Sequence, residues 1–148
     1  MNCQSIIAPA PVVLEAATTV EKAASTLLAQ HFATLPVVDG QGRFVGIFGT
    51  RELIGLMLPR AARLGGELDL GFVADGVADL KARLASFGGE PLSRHMAPHQ
   101  AVHPETMLVE ALLLLQRGDA FLPVVDGTGQ LVGIVTAADA LARLAEIP

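Results

Sequence analysis

The hydrophobic positions along this chain form a succession of apolar runs and helical spacings that occurs twice. In the first pass, a short apolar run at 12–14 precedes apolar residues at helical spacing up to His31. Two apolar runs at 35–38 and 44–48 then flank a polar, glycine-rich turn, and a short helical stretch covers 50–58. Helical spacing predicts helices, whereas short apolar runs bounded by turn residues predict strands. The pattern therefore predicts a β-α-β-β-α unit.

The second pass predicts a strand at 101–102, a helix at 106–116, strands at 121–125 and 131–135, and a last helix at 137–145. The strands are continuous apolar runs, which is typical of strands covered by helices. Between residues 35 and 47, ten of thirteen residues recur 87 positions later, so that LPVVDG at 35–40 returns at 122–127. Such a period marks a duplicated structural unit. We predict an α/β fold in which repeat 1 (5–58) and repeat 2 (91–146) form a pseudo-twofold pair.

Two helix starts carry a capping signature. Thr18 with Glu21 predicts the start of the first helix, and Thr136 with Asp139 predicts the start of the last. In such a box the hydroxyl accepts a free backbone N–H and the acidic side chain reaches back.

The segment 59–90 between the repeats is longer than a simple connection requires. The sequence at 64–66, Leu-Gly-Gly, predicts the end of the preceding helix. Asp75 is a predicted cap for a further helix, with apolar residues at helical spacing from Val77 to Phe87. Two interpretations stay open: a helix that covers the pair, or an element that binds a partner or a second subunit.

Composition adds an expectation about assembly. The 148 residues are 51% hydrophobic and the mean hydropathy is +0.51. This surplus of apolar residues favours a buried subunit interface, so we expect a homodimer. No apolar run reaches the length of about 18 residues that a membrane span needs, and none is predicted.

Charge and cysteine content limit the partners and the compartment. The net charge is −5 and the few basic residues are scattered, so we do not expect nucleic acid as a partner. Cys3 is the single cysteine and excludes an intramolecular disulfide, and the first residues lack the basic character of a signal peptide. A cytoplasmic location is expected. Cys3 itself is interpreted as an incidental thiol rather than a nucleophile.

No catalytic constellation is evident, and we do not expect an enzyme. His95, His99 and His103 are spaced by four, a spacing that can ligate a metal on a helix. Pro98 and Pro104 interrupt any helix there, so no metal site is predicted.

The segment from Thr136 to Asp139 has two interpretations. It is a capping box, or it is a ligand site built on the same geometry, because free amides at a helix N-terminus attract anions. In the second case a phosphate would lie beside the Thr136 hydroxyl, and Asp139 would accept hydrogen bonds from ribose hydroxyls.

In each repeat, a helix precedes a hairpin that begins with LPVVDxxG and leads into a segment of the type TxxD. This duplicated pattern resembles the CBS domain pair, named for cystathionine β-synthase. The resemblance covers nearly the whole chain except 59–90. Met96, followed by Ala97 and Pro98, matches the family's lead-in segment.

The resemblance implies a pseudo-twofold module with clefts for adenine nucleotides, and modules that commonly pair as dimers. It assigns phosphate contact to Thr136 and ribose contact to Asp139. His103, after the lead-in strand, is expected to face a phosphate. Adenine is expected near a set of backbone and apolar positions in repeat 2: Ala101, Val102, Leu122, Pro123 and Ile134.

Repeat 1 departs from the family pattern, with Gly49 in place of the Thr or Ser and Glu52 in place of the Asp. We expect its site to be weak or empty, with Thr50 as the alternative hydroxyl one residue on. In repeat 2, Ala137 and Ala138 occupy positions where many members carry a basic residue. AMP, ADP or an adenosyl compound is therefore favoured over ATP, with ATP and S-adenosylmethionine still possible.

Two functions follow from this reading. The first is a regulatory module that senses energy state or a metabolite by binding an adenine nucleotide. The alternative is a ligand-free dimerisation or interaction module that docks a partner enzyme or transporter.

Overall fold

A computed structural model of the chain describes residues 1–58 and 76–147. The described elements occur in the predicted order, and they include the further helix that was predicted between the repeats. Repeat 1 contains β1 (Leu14–Glu15), α1 (Val20–Gln30), β2 (Thr34–Val38), β3 (Phe44–Gly49) and α2 (Thr50–Met57), and α3 (Val77–Phe87) follows. Repeat 2 contains α4 (Leu108–Gln116), β4 (Leu122–Val125), β5 (Leu131–Val135) and α5 (Ala137–Ala145). The mixed α/β fold with two matching repeats is confirmed.

Each repeat is built on an antiparallel hairpin. β2 pairs with β3, with Leu35 opposite Phe48, and β4 pairs with β5, with Leu122 opposite Val135. β1 lies parallel to β2. In repeat 2 the predicted strand at 101–102 is reduced to one bridging residue, Val102, which lies parallel to Val124.

The aspartate of each hairpin turn holds the turn closed. Oδ1 of Asp126 accepts hydrogen bonds from the hydroxyl and backbone N–H of Thr128 and from the backbone N–H of Gln130. These bonds favour the ionised carboxylate and hold the pKa of Asp126 below its usual range. Asp39 makes equivalent backbone bonds in repeat 1. The paired aspartates are therefore turn residues.

Two predicted helix starts were wrong by one or two residues. Thr19, not Thr18, caps α1, and its Oγ1 accepts the N–H of Lys22 at 3.3 Å. The backbone of Thr18 is already used, since its carbonyl accepts the N–H of Leu92. The predicted start at Thr106 moves to Leu108, because the Thr106 hydroxyl accepts the N–H of His103 instead of capping the helix.

The segments that lead into the two repeats cross between the cores. Cys3 and Ile6 are buried in the core of repeat 2, whereas Leu92 is buried in the core of repeat 1. Ala8 exchanges both backbone hydrogen bonds with Ile134, and Ala97 does the same with Ile47. Each core therefore includes a segment that precedes the other repeat in the sequence.

The hairpin turns also meet. The N–H of Phe44 donates to the carbonyl of Gly129 at 3.0 Å, and the N–H of Leu131 donates to the carbonyl of Gly42 at 3.1 Å. The two hydrogen bonds join equivalent positions of the two hairpins in opposite directions, as a pseudo-twofold pair requires.

Helix α3 packs on repeat 1. Leu84 and Phe87 contact its core, and Gly88 closes the helix against the start of α1. The side chain of Asp79 accepts the N–H of Gly76 at the first turn. The predicted cap Asp75 and the predicted helix end at 64–66 lie outside the described residues. Among the residues that are described, no helix is long and apolar enough to cross a membrane.

The backbone of each lead-in segment lies directly against one glycine of a hairpin, Gly46 or Gly133. A side chain added at such a glycine is therefore expected to lower the stability of the protein. A Cβ on Gly133 would lie 2.6 Å from the carbonyl oxygen of Ala8. Gly133→Ala is therefore expected to lower the free energy of unfolding by about 1–3 kcal/mol in urea denaturation, because the lead-in segment must shift.

Gly127→Ala is the matched control for this glycine, since a Cβ there meets nothing within 4 Å. Equal loss of stability in both variants would contradict the close packing of the lead-in segment.

Candidate functional site

In repeat 2, Thr136 and Asp139 are brought together at the junction of β5 and α5. Oγ1 of Thr136 accepts the N–H of Asp139 at 3.1 Å and donates to Oδ2 of the same residue at 2.8 Å. The predicted N-cap at Thr136 is thus present. Both the hydroxyl proton and the helix amide are already satisfied within the protein.

Repeat 1 has a different junction. Gly49 caps α2 without a side chain, and its N–H donates to Oε1 of Glu52 at 2.8 Å. Among the described residues, no hydroxyl accepts the N–H of Glu52, in contrast to that of Asp139 in repeat 2. A Cβ on Gly49 would collide with the carbonyl oxygen of Ala33 and with Thr34, which explains why a threonine does not fit here.

A cleft of about 550 Å³ opens at this junction and is termed the repeat 1 cleft. Its walls come from both repeats. They are formed by Ala33, Thr34, Ile47, Thr50, Arg51 and Glu52, and by residues 97–99 and 118–121. The volume falls in the range of small-molecule sites. Arg51 is exposed at the rim, and Thr50 donates its hydroxyl to the carbonyl of Ala33 at 3.3 Å.

His99 and Asp119 form a polar pair in the wall of the repeat 1 cleft. Nε2 of His99 lies 3.2 Å from Oδ1 of Asp119, and Nδ1 lies 2.7 Å from the backbone carbonyl of Gln100. The imidazole stacks on Phe121 with ring centroids 6.4 Å apart. Neither His99 nor Asp119 was among the predicted site residues.

Asp139 borders a smaller depression of about 300 Å³ on repeat 2. Ala8 forms part of its wall, and Arg143 is a cation at its edge. Ile134 lies beside it through its pairing with Ala8. The structure therefore brings together Ile134, Thr136 and Asp139 of the predicted set.

The other predicted adenine contacts lie elsewhere. Val102 and Leu122 are buried in the core of repeat 2, and Pro123 is fully buried beside them. Ala101 precedes Val102 on the edge of the hairpin away from β5. Among the described residues, these four line neither the repeat 1 cleft nor the depression at Asp139.

Two of the lead-in residues that border these sites are Ala8 and Ala97. Each precedes a proline, so the dipeptide Ala-Pro at 8–9 and 97–98 was the available signal. It was missed for the first repeat because its offset is 89 residues, not the 87 of the hairpins.

Three histidines that raised a metal hypothesis have separate partners. Nε2 of His95 lies 2.7 Å from Oε2 of Glu90, and this contact holds the pKa of Glu90 below its usual range. Nδ1 of His103 lies 3.1 Å from the carbonyl of Val125. His99 faces Asp119. In the described part of the chain, no group of three or more His, Cys, Asp or Glu side chains is arranged to hold a metal ion.

Comparison with protein-family models identifies the family to which the two repeats belong. The CBS domain model matches residues 3–59 and 94–146, which together exceed half of the chain. The chain belongs to the CBS domain family. No curated protein matches its sequence.

Solved CBS structures share the whole architecture. The CBS-pair protein CBSX2 from Arabidopsis thaliana is 23% identical with a TM-score of 0.74, and the match covers 98% of this chain and 94% of that one. CBSX2 in complex with AMP gives 24% identity and a TM-score of 0.69, over 98% and 96% of the chains. A CBS domain-containing protein from Kribbella flavida gives 18% identity, a TM-score of 0.72, and 99% coverage of both chains.

The repeat 2 junction predicts a stability effect that is independent of ligands. Thr136→Ala is expected to cost about 1 kcal/mol of unfolding free energy, because the N–H of Asp139 loses its acceptor. Thr136→Ser keeps the hydroxyl and should stay near wild type. Thermal or urea unfolding measures both, and an alanine variant as stable as the serine variant would rule out the cap.

Proposed function

We propose that this CBS pair is a regulatory module that binds an adenine nucleotide in the repeat 1 cleft. The observation that carries the proposal is the cleft itself, about 550 Å³ in volume and walled by both repeats. The solved complex of the neighbour CBSX2 with AMP supports the choice of ligand class.

The walls of the cleft divide into an apolar and a polar part. Ile47, Ala97 and Pro98 form an apolar surface suited to the face of an adenine ring. Arg51 supplies a guanidinium for a phosphate, and Glu52 supplies a carboxylate oxygen for ribose hydroxyls. Oε1 of Glu52 is occupied by the N–H of Gly49, which leaves Oε2 for the ligand.

The start of α2 adds a second anion-binding element. Because Gly49 has no side chain, the N–H of Glu52 lacks the hydroxyl acceptor that Thr136 provides to Asp139. A phosphate oxygen beside Arg51 would take this place, with the favourable direction of the helix dipole.

These contacts favour a monophosphate. Arg51 is the arginine in the cleft wall, while Glu52 and Asp119 are acidic. A triphosphate would place additional negative charge beside these carboxylates. We therefore favour AMP, with ADP or an adenosyl compound next and ATP last.

The sequence predicted the opposite order of sites, with Thr136 and Asp139 as the main ligand residues and Gly49, Thr50 and Glu52 as the weaker site. In repeat 2, the hydroxyl of Thr136 is committed to Asp139 and the depression is about 300 Å³. The geometry favours repeat 1. Binding at Thr136 and Asp139 stays a prediction, and the same experiment tests it.

Regulation would follow from the shared walls. A nucleotide that contacts α2 of repeat 1 and residues 97–99 and 118–121 of repeat 2 favours one separation of the two repeats. A ligand shifts a conformational equilibrium by its difference in affinity for the two states. A change in nucleotide concentration would thereby alter the conformation that the module presents to a partner protein.

Calorimetry with AMP tests the site. Arg51→Ala is expected to weaken AMP binding about tenfold or more, because a charge-assisted hydrogen bond to the phosphate is lost. Arg143→Ala at the repeat 2 depression is the matched control and should bind as wild type does. Adenosine, ADP and ATP complete the ligand series.

Three outcomes are informative. Loss of affinity in Arg51→Ala alone supports the repeat 1 cleft. Loss in Arg143→Ala and Asp139→Ala, with Arg51→Ala unchanged, moves the site to repeat 2. Absence of binding by the wild type to every nucleotide would refute nucleotide sensing and leave the interaction module.

One surface supports the second function. Helices α4 and α5 of repeat 2 expose Val109, Leu113 and Leu141. In repeat 1, α3 packs on α1 and α2 but leaves Leu28 and Ile54 exposed. Exposed apolar patches of this kind mark association surfaces. We propose that a second copy of this chain covers them and forms a homodimer. Cys3 is buried, so its thiol takes no part in this association.

Sedimentation tests the dimer. Leu113→Glu, at a side chain that is 56% exposed, is expected to convert a dimer into a monomer, because a charge would be buried in the interface. Val77→Glu on α3, at a side chain that is 70% exposed, is the matched control and should stay dimeric. A monomeric wild type would contradict the homodimer and favour a different partner on this face.

A further inference from the structure

The hydroxyl of Thr34, a residue in the wall of the repeat 1 cleft, has no hydrogen-bond partner in the part of the chain that the structure describes. Its Oγ1 is buried, whereas the residue as a whole is half-buried, so other atoms of Thr34 form the surface of the wall. Buried polar groups in proteins normally have a partner, because an unpaired one costs free energy. The fold therefore carries this hydroxyl without using it.

Thr34 lies beside the start of α2. It is opposite Gly49 in the pairing of β2 with β3, and a Cβ on Gly49 would lie 2.7 Å from the Cβ of Thr34. Gly49 is the N-cap of α2, and Thr50, Arg51 and Glu52 continue from it along the cleft wall. The side chain of Thr34 is thus next to the position proposed for the phosphate.

The two repeats carry a threonine on opposite sides of this junction. The residue 87 positions after Thr34 is Phe121, and the residue 87 positions after Gly49 is Thr136. In repeat 2 the hydroxyl belongs to the N-cap and is committed to Asp139. In repeat 1 the hydroxyl belongs to the facing strand, and no described group pairs with it. Repeat 1 therefore retains a hydroxyl that a ligand can use.

A rotation about χ1 is enough to turn this hydroxyl. The staggered positions on the Cβ of Thr34 are related by rotations of about 120° in χ1, and more than one of them is common in strands. The rotation breaks no hydrogen bond within the described structure. A hydrogen bond to a ligand would also remove the cost of the unpaired hydroxyl.

We propose that Thr34 is a specificity-determining residue of the repeat 1 cleft, whose hydroxyl donates a hydrogen bond to the phosphate of the bound nucleotide. A threonine hydroxyl has one O–H to donate, and phosphate oxygens are strong acceptors. Together with Arg51, Thr34 then favours a phosphate-bearing nucleoside over the uncharged nucleoside. This inference rests on the proposed binding of AMP and adds a further contact for its phosphate.

Calorimetry on Thr34→Val tests the proposal, because valine keeps the branched shape and removes the hydroxyl. AMP binding is expected to weaken about tenfold, as the loss of one hydrogen bond to a charged group predicts. Thr34→Ser keeps the hydroxyl and should bind AMP within about twofold of wild type. Adenosine has no phosphate, so the wild type and Thr34→Val should bind it equally.

Urea denaturation separates this role from a structural one. Replacing a buried, unpaired hydroxyl by an apolar group of the same shape should leave the midpoint of unfolding of Thr34→Val unchanged or raise it. Thr136→Val is the matched control, since it removes a hydroxyl that is hydrogen-bonded to Asp139 and caps α5. Its midpoint should fall.

The remaining outcomes separate this inference from the nucleotide site itself. If Thr34→Val binds AMP as wild type does while Arg51→Ala loses affinity, the role of Thr34 is overturned and the site stands. Equal losses for AMP and adenosine, or a midpoint that falls as far as in Thr136→Val, would also overturn that role. No AMP binding by the wild type overturns nucleotide binding and this inference with it.

Discussion

The rest of the structure depends on the exchange of lead-in segments between the two repeats. Ala8 pairs with Ile134 of repeat 2, and Ala97 pairs with Ile47 of repeat 1. Both contacts require a glycine beneath the crossing backbone, since a Cβ on Gly46 or Gly133 would lie within 3 Å of a lead-in carbonyl oxygen. Interiors packed at this density do not accommodate an added atom without movement. The shared glycine of the two hairpins is thus a requirement of the crossing.

The same crossing builds the candidate site. Residues 97–99 belong to the lead-in segment of repeat 2 but lie against repeat 1. They therefore place Pro98 and His99 beside the start of α2. The loop before β4 then approaches from the other repeat and contributes Asp119. A ligand in this cleft would contact both repeats, which a ligand in a cleft inside one repeat would not do. The glycine at position 49 has a structural cause in the close approach of Ala33, and it supplies no hydroxyl that could accept the N–H of Glu52.

Much of the fold was predictable from local patterns. The hairpins repeat their sequence, and β5 and α5 were predicted at the residues where they occur. The N-cap at Thr136 was also predicted, because capping depends on neighbours in the chain. Local signals were weaker where side chains had competing partners, as at Thr106, whose hydroxyl turns back to His103.

The site was harder to predict, since its parts are distant in the sequence. The pairing of His99 with Asp119 joins a lead-in segment to a loop twenty residues later, and no periodicity marks it. The family resemblance directed attention to Thr136 and Asp139, whose mutual hydrogen bonds become visible only in three dimensions. Likewise, Val102 and Leu122 are apolar residues of the kind that could contact an adenine ring, but their side chains lie in the core of repeat 2.

The most direct measurement is an AMP titration followed through the backbone amide resonances of the isotope-labelled protein. The account predicts saturable shifts concentrated at residues 47–52, 97–99 and 118–121, the segments that together line the repeat 1 cleft. Saturable shifts confined to residues 134–139, or no saturable shift at any AMP concentration, would contradict it.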